Sequence, residues 1–174
     1  NVLGNFTNRI LSFTTSKFDG IIPSAGNSGS EELDLQNALA DQINEISTHY
    51  EEMEFRKAAA ATRALWAIGN EYLTKTAPWS SIKTNTDRAS VAVRTALNLI
   101  PLFALASLPI IPDTAEKMLK AVGMTLSKRD WPEKSNFNGL DILPRGQKVN
   151  NPGPMFTRID DEMLVKWNER FPGS

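Results

Sequence analysis

Cysteine is absent from the 174 residues, and histidine occurs once, at His49. The first absence removes disulfides, thiolate metal sites and cysteine nucleophiles. The second leaves neither a histidine-cluster metal site nor an ordinary Ser-His-Asp triad. No glycine-rich phosphate cradle of the GxGxxG or GxxxxGK kind occurs. No uninterrupted apolar run approaches the roughly 18 residues that span a membrane, and no signal peptide is visible. The adjacent acids Asp160 and Asp161 read as a solvated helix start, and His49, on an acidic helix surface, receives no role. No catalytic residue, metal site or cofactor is therefore expected in this chain, which has the character of a binding fragment. Its first residue, Asn1, falls inside an apparent helix. That suggests an excised C-terminal piece of a longer protein, expected to be soluble and cytoplasmic.

What is present is apolar spacing of helical period. Val2, Leu3, Phe6, Ile10 and Phe13 mark a first helix, ended by the Asp19-Gly20 turn and the loop IIPSAGNSGS. Ser30 stands as an N-cap before Glu31 and Glu32, opening a second helix with the stripe Leu35, Leu39, Ile43, Ile46 and Tyr50. A third helix runs from about Phe55 to Thr76 and is stopped by Pro78; Phe55, Ala59, Leu65, Trp66, Tyr72 and Leu73 are its candidate core residues. The run VAVRTALNLIPLFALA is apolar almost all round, as in a helix buried on most sides, with a kink expected at Pro101. DTAEKMLKAVGM supplies a fifth helix ending near Gly123. Residues 1–125 are thus expected to form an all-α, five-helix bundle. Residues 126–174 form an irregular tail, too rich in Phe137, Leu140, Ile142, Leu143, Met155 and Phe156 to be disordered. The tail is expected to pack on the bundle or on a missing part of the protein, with a short last helix around Asp161 to Arg170.

Net charge is only −1, but the charges are segregated. Glu31 to Glu54 holds eight acidic residues and no Lys or Arg, whereas Phe55 to Arg94 holds seven basic and two acidic residues, a balance of +5. Either two helices of opposite charge face each other, or the chain presents a basic face to an anionic partner.

The first helix has an unusual polar side. Positions four apart share a face, so Asn1, Asn5 and Arg9 form one row, with Asn8 beside it. Asn is a mediocre helix former, yet Asn and Arg carry planar groups that make paired, directional hydrogen bonds. Such groups suit the edges of nucleobases, and an aromatic ring such as Trp79, placed where a helix stops, suits their faces. A solvated polar row and a tryptophan plugging the bundle end remain the plain alternatives.

Three segments carry a resemblance: LGNFTNRILSFTTSKFDG, FRKAAAATRALWAIGNEYLTKTAPWSSIK and LFALASLPIIPDTAEKMLKAVG, with PMFTRIDDE near the end. Together they resemble the C-terminal anticodon-binding domain of bacterial methionyl-tRNA synthetases. The Asn-x-Tyr…Pro-Trp pattern is shared with related class I enzymes; Asn5-x-x-x-Arg9 with Pro78-Trp79 is more specific. The resemblance implies an anticodon-binding helical bundle that reads the CAU anticodon of methionine tRNA. Trp79 would stack on the wobble cytosine, Asn5 and Arg9 would read base edges, and Asn1 falls at the next Asn position upstream. Lys75, Lys83 and Arg88 would meet stem phosphates. The full enzyme, a methionine–tRNA ligase, would use ATP with magnesium and methionine. Its HIGH-like and KMSKS-like motifs do not occur in this chain. The enzyme is expected to be monomeric. The rival readings are the anticodon domain of another class I synthetase (isoleucine, valine, leucine or cysteine) and a helical protein-interaction module.

Overall fold

The computed structural model describes residues 2–125, 131, 139–157 and 159–173. Asn1 and Phe137 lie outside the described residues. The described helices are α1 (Val2–Lys17), α2 (Ser30–Glu51), α3 (Phe55–Thr76), the single turn α4 (Pro78–Ser81), α5 (Thr86–Ser107), α6 (Pro112–Ala121) and α7 (Asp161–Arg170). Among the described residues there is no strand beyond an isolated bridge pairing Ile21 with Lys148.

α5 is the central rod. Every residue from Ala89 to Ala104 is buried, as the all-round apolar run implies. The helix has the length and hydropathy of a membrane-crossing segment, but 94% of that window lies inside the bundle. It runs on through Pro101. α3 packs against α1, α2 and α5, and α6 folds back on α5. Where α3 meets α5, Gly69 allows the contact: a Cβ there would lie 2.5 Å from the Phe103 ring. Phe103 in turn meets Phe6 of α1 edge-on at 5.1 Å, so one aromatic ring ties three helices together.

Two local readings are corrected. The cap of α2 is Gly29, not Ser30, which is already helical; Glu32 at the third position accepts the Gly29 N–H at 2.8 Å. That reach back satisfies a terminal donor without a side chain on the cap residue. Phe55 is 65% exposed. It stands at the first residue of α3, beyond the bundle edge, where it meets only the Tyr50 ring at 6.4 Å among described aromatic contacts.

The tail follows the bundle. It pairs with the α1 exit turn through Ile22 N–H to the Gln147 carbonyl and Val149 N–H to the Gly20 carbonyl, at 2.9 and 2.8 Å. Buried Asn98 of α5 accepts the N–H groups of both Ile142 and Leu143 at 2.7 Å. Leu143, Val149 and Met155 are buried. α7 begins at Asp160, whose side chain caps the Met163 N–H at 2.9 Å; no residue of α7 is buried.

Candidate nucleic-acid interface

The apolar face of α1 is fixed by Leu3, Phe6, Ile10 and Leu11, all inside the core. That rotation leaves Asn5 and Arg9 exposed and Asn8 half-buried. Neither Asn5 nor Asn8 has a hydrogen-bond partner for its amide among the described residues. Asn1 lies outside the described residues, so the row is seen from its second member onward.

Trp79 reaches this row through a sharp change of direction. α3 closes at Ala77, which is left-handed (φ 38°, ψ 62°) and donates its N–H to the Leu73 carbonyl. An alanine there carries a conformational cost that glycine would not. Pro78 then starts α4 at a position that needs no N–H. The proline read as a helix stop is thus also a restart. The half-buried Trp79 indole comes to lie beneath Arg9, whose guanidinium carbon is 4.3 Å from the ring centroid, well within cation–π range. The structure therefore brings together two residues seventy positions apart that the sequence singled out separately.

Two motif residues given no role in the sequence reading hold this arrangement. Asn70 and Tyr72 are two apart on α3 and so face opposite ways. Asn70 donates its amide to the Trp66 carbonyl at 2.9 Å and across to the Val2 carbonyl of α1 at 3.2 Å. Tyr72 donates to the Glu32 carboxylate of α2 at 2.6 Å. One side chain clamps α3 to α1 and the other clamps it to α2, which sets the angle at which Trp79 meets Arg9. The signal available in the sequence was the motif itself; its partners, 68 and 40 residues away, were not.

The basic residues divide. Arg88 is bound to Glu31 and, at 2.7 Å, to Glu32. Lys75 lies 3.7 Å from Glu31 and is exposed. Lys83 is exposed and has no ion-pair partner among the described residues. Arg94 is buried, with its guanidinium donating to the carbonyls of Pro23, Ala25 and Gly26, so it pins the loop and faces no solvent. Much of the charge segregation is therefore settled between neighbouring helices. Burial alone would raise the Glu32 carboxyl pKa; hydrogen bonds from Tyr72, the Gly29 N–H and Arg88 outweigh it and hold the carboxyl below the usual range. Burial and the Glu32 hydrogen bond push the Tyr72 hydroxyl well above its ordinary value.

One group away from this edge has metal-ligating atoms: His49, Glu52 and Glu54 lie within 4.8 Å of one another. Glu54 is already bonded to Lys57 at 2.6 Å and to His49 at 3.0 Å, so ion pairing accounts for the cluster.

Comparison with known proteins places these features in a family. The family model described as the anticodon binding domain of methionyl tRNA ligase matches residues 22–174. A methionine–tRNA ligase of Maricaulis maris is 46% identical over 179 residues, covering 100% of this chain and 31% of the relative. That of Streptomyces avermitilis is 40% identical over 174 residues, covering 100% and 30%. The apo methionyl-tRNA synthetase of Mycobacterium tuberculosis superposes with a TM-score of 0.78 at 22% identity, over 92% of this chain and 32% of that one. The same enzyme in complex with methionyl-adenylate gives 0.77, over 91% and 31%. At that identity the structural likeness is one of fold. The chain spans about a third of the length of these relatives.

Proposed function

Because the chain belongs to the family of methionyl-tRNA-ligase anticodon-binding domains, we propose that its α1–α4 edge reads the CAU anticodon of methionine tRNA. The observation that carries this reading is the Arg9 guanidinium held 4.3 Å over the Trp79 ring, beside the free amide of exposed Asn5. One flat surface and two directional edges are what a splayed loop base requires. Trp79 stacks on the wobble cytosine. Arg9 donates to its O2 and N3 acceptors, an arrangement that uracil, with a donor at N3, disfavours. Asn5 supplies a further edge contact, and Asn1 extends the row. Lys83 and Lys75 meet backbone phosphates, which add affinity without sequence information. Arg88 acts chiefly through its hold on α2.

The wider activity follows that of the relatives. In a methionine–tRNA ligase, ATP with magnesium activates methionine as the adenylate, and the tRNA then accepts it. Those steps would be carried out by residues outside these 174, in a monomeric cytoplasmic enzyme that this domain supplies with tRNA.

The test is a titration of the 174-residue chain with anticodon stem-loops carrying cytosine or uracil at the wobble position. Stacking and a base-edge contact are each worth about 1–3 kcal/mol. Wild type should therefore prefer cytosine at least roughly 5-fold, and Trp79→Ala should bind weakly and lose the preference. Equal binding of both RNAs by wild type, unaltered by Trp79→Ala, would overturn the reading.

A further inference from the structure

Beside Asn5, on the side away from Trp79, lies a recess of about 150 Å³ lined by Gly4, Asn5, Asn8, Pro154, Met155 and Phe156. Its floor is α1 and its far wall is the tail. The wall is fixed by design of the chain on both sides. Lys117 of α6 donates to the Pro154 carbonyl at 3.0 Å, Met155 is buried, and Asn151 donates to Ser12 of α1 at 2.9 Å. The tail thus runs beside α1 from Ser12 toward Gly4.

Helix geometry says how this recess relates to the Arg9–Trp79 pair. At about 100° per residue, Arg9 and Val2 project to one side of Asn5, toward Trp79 and Asn70. Asn8, Ser12 and Gly4 project to the other, toward the tail. Asn5 stands between the two. Asn8 is half-buried and Phe156 is half-buried, yet the Asn8 amide has no partner among the described residues. A partly desolvated amide kept without a hydrogen bond is costly, and here it faces a small recess with an aromatic side chain in its wall. Gly4 on the floor adds no side chain to fill it.

We propose that this recess is a second nucleobase site, taking an anticodon base other than the wobble base. Asn8 pairs with the edge of that base, and Phe156 packs against its face. The site rests on the anticodon reading above, and it extends that reading to a part of the tail. A free amide offers one donor–acceptor pair, which matches the edge of a base. A recess of this size fits a single planar ring system. Continuity through Asn5 lets two bases of one loop occupy the two places together.

The experiment is a set of anticodon stem-loops with the CAU loop or with one base changed at each of the three positions, titrated against the 174-residue chain. Wild type, Asn8→Ala, Phe156→Leu and Trp79→Ala are compared. Alanine favours helix more than asparagine does, and leucine keeps the tail apolar, so neither recess variant should unfold; thermal melts check this. The proposal expects wild type to discriminate at the middle or third position by roughly 5- to 160-fold, the span of one paired edge contact. Asn8→Ala and Phe156→Leu should both erode that discrimination while the wobble preference survives. Retention of discrimination at every position by both variants would overturn the recess and leave the Trp79 reading standing. A wild type that discriminates only at the wobble position would do the same. A wild type without any wobble preference would overturn both.

Discussion

Glu32 and Asn5 are both polar residues beside α3, and they are treated in opposite ways. Glu32 is 3% exposed and accepts hydrogen bonds from Tyr72, Arg88 and the Gly29 N–H. Asn5 is exposed and its amide is bonded to nothing described. The first cluster has used its hydrogen-bonding capacity to join α2, α3 and α5. The second holds its capacity open on a helix whose rotation is fixed by core packing. Saturated polar groups in the interior specify the packing; unsaturated ones on a rigid face are available to a ligand. α3 serves both, with Tyr72 turned to one cluster and Asn70 clamping the helix that carries the other.

The sharpest way to break the contrast is Arg88→Ala. It leaves the buried Glu32 carboxylate short of its cation. Removing one partner of a buried pair costs about 3–5 kcal/mol, and the low end applies because the Arg88 side chain is 27% exposed. Urea denaturation should show a loss of about 3 kcal/mol, with the RNA affinity of the folded protein changed little. A variant that kept its stability and lost affinity would move Arg88 into the RNA-facing cluster.

A smaller effect is expected from acid. The Glu32 carboxyl has a lowered pKa in the folded protein. Its contribution to stability is therefore complete above the ordinary glutamate value of about 4.3. The contribution is lost as pH falls from there through the folded value. Tyr72→Phe removes one donor to that carboxylate, costing about 1.5–3 kcal/mol at neutral pH, and should flatten the acid-side loss. Melting temperatures of wild type and variant across this range check both statements; parallel curves would mean that Tyr72 does not depress the Glu32 carboxyl.

The two clusters also differ in how far the sequence disclosed them. The polar row on α1 was legible because it is local: a four-residue period places Asn5 and Arg9 on one face whatever the fold. The same holds for α3 and α7, whose limits Phe55–Thr76 and Asp161–Arg170 follow from spacing and stop signals. The Glu32–Tyr72–Arg88 cluster was not legible, since its members are 40 and 56 residues apart. A count of charges gave the attraction between the regions but not which residue meets which. Phe55 misled for a related reason. An aromatic at helical spacing reads as core, but a residue at the first position of a helix can project past its neighbours. The recess beside Asn8 was hidden as well, because half of it comes from a tail whose path no periodicity encodes.

The smallest expected effect separates charge from shape within the RNA-facing cluster. Lys83 is exposed, lacks an ion-pair partner among the described residues and follows α4 by one residue beyond Ile82. If it meets a phosphate, Lys83→Ala weakens binding of every stem-loop alike, with no change in base preference. The loss also shrinks as salt rises, because one fewer counterion is released; the slope of log affinity against log salt should fall by about 0.7–0.9. Trp79→Ala should do the reverse, lowering affinity by a base-dependent factor at unchanged slope, since stacking displaces no condensed ion. Measuring both variants over the same salt series tests the division directly. A Lys83→Ala protein with the wild-type slope would mean that its ammonium stays in solvent when RNA is bound. The phosphate contacts would then fall to Lys75, which must first leave Glu31 at 3.7 Å.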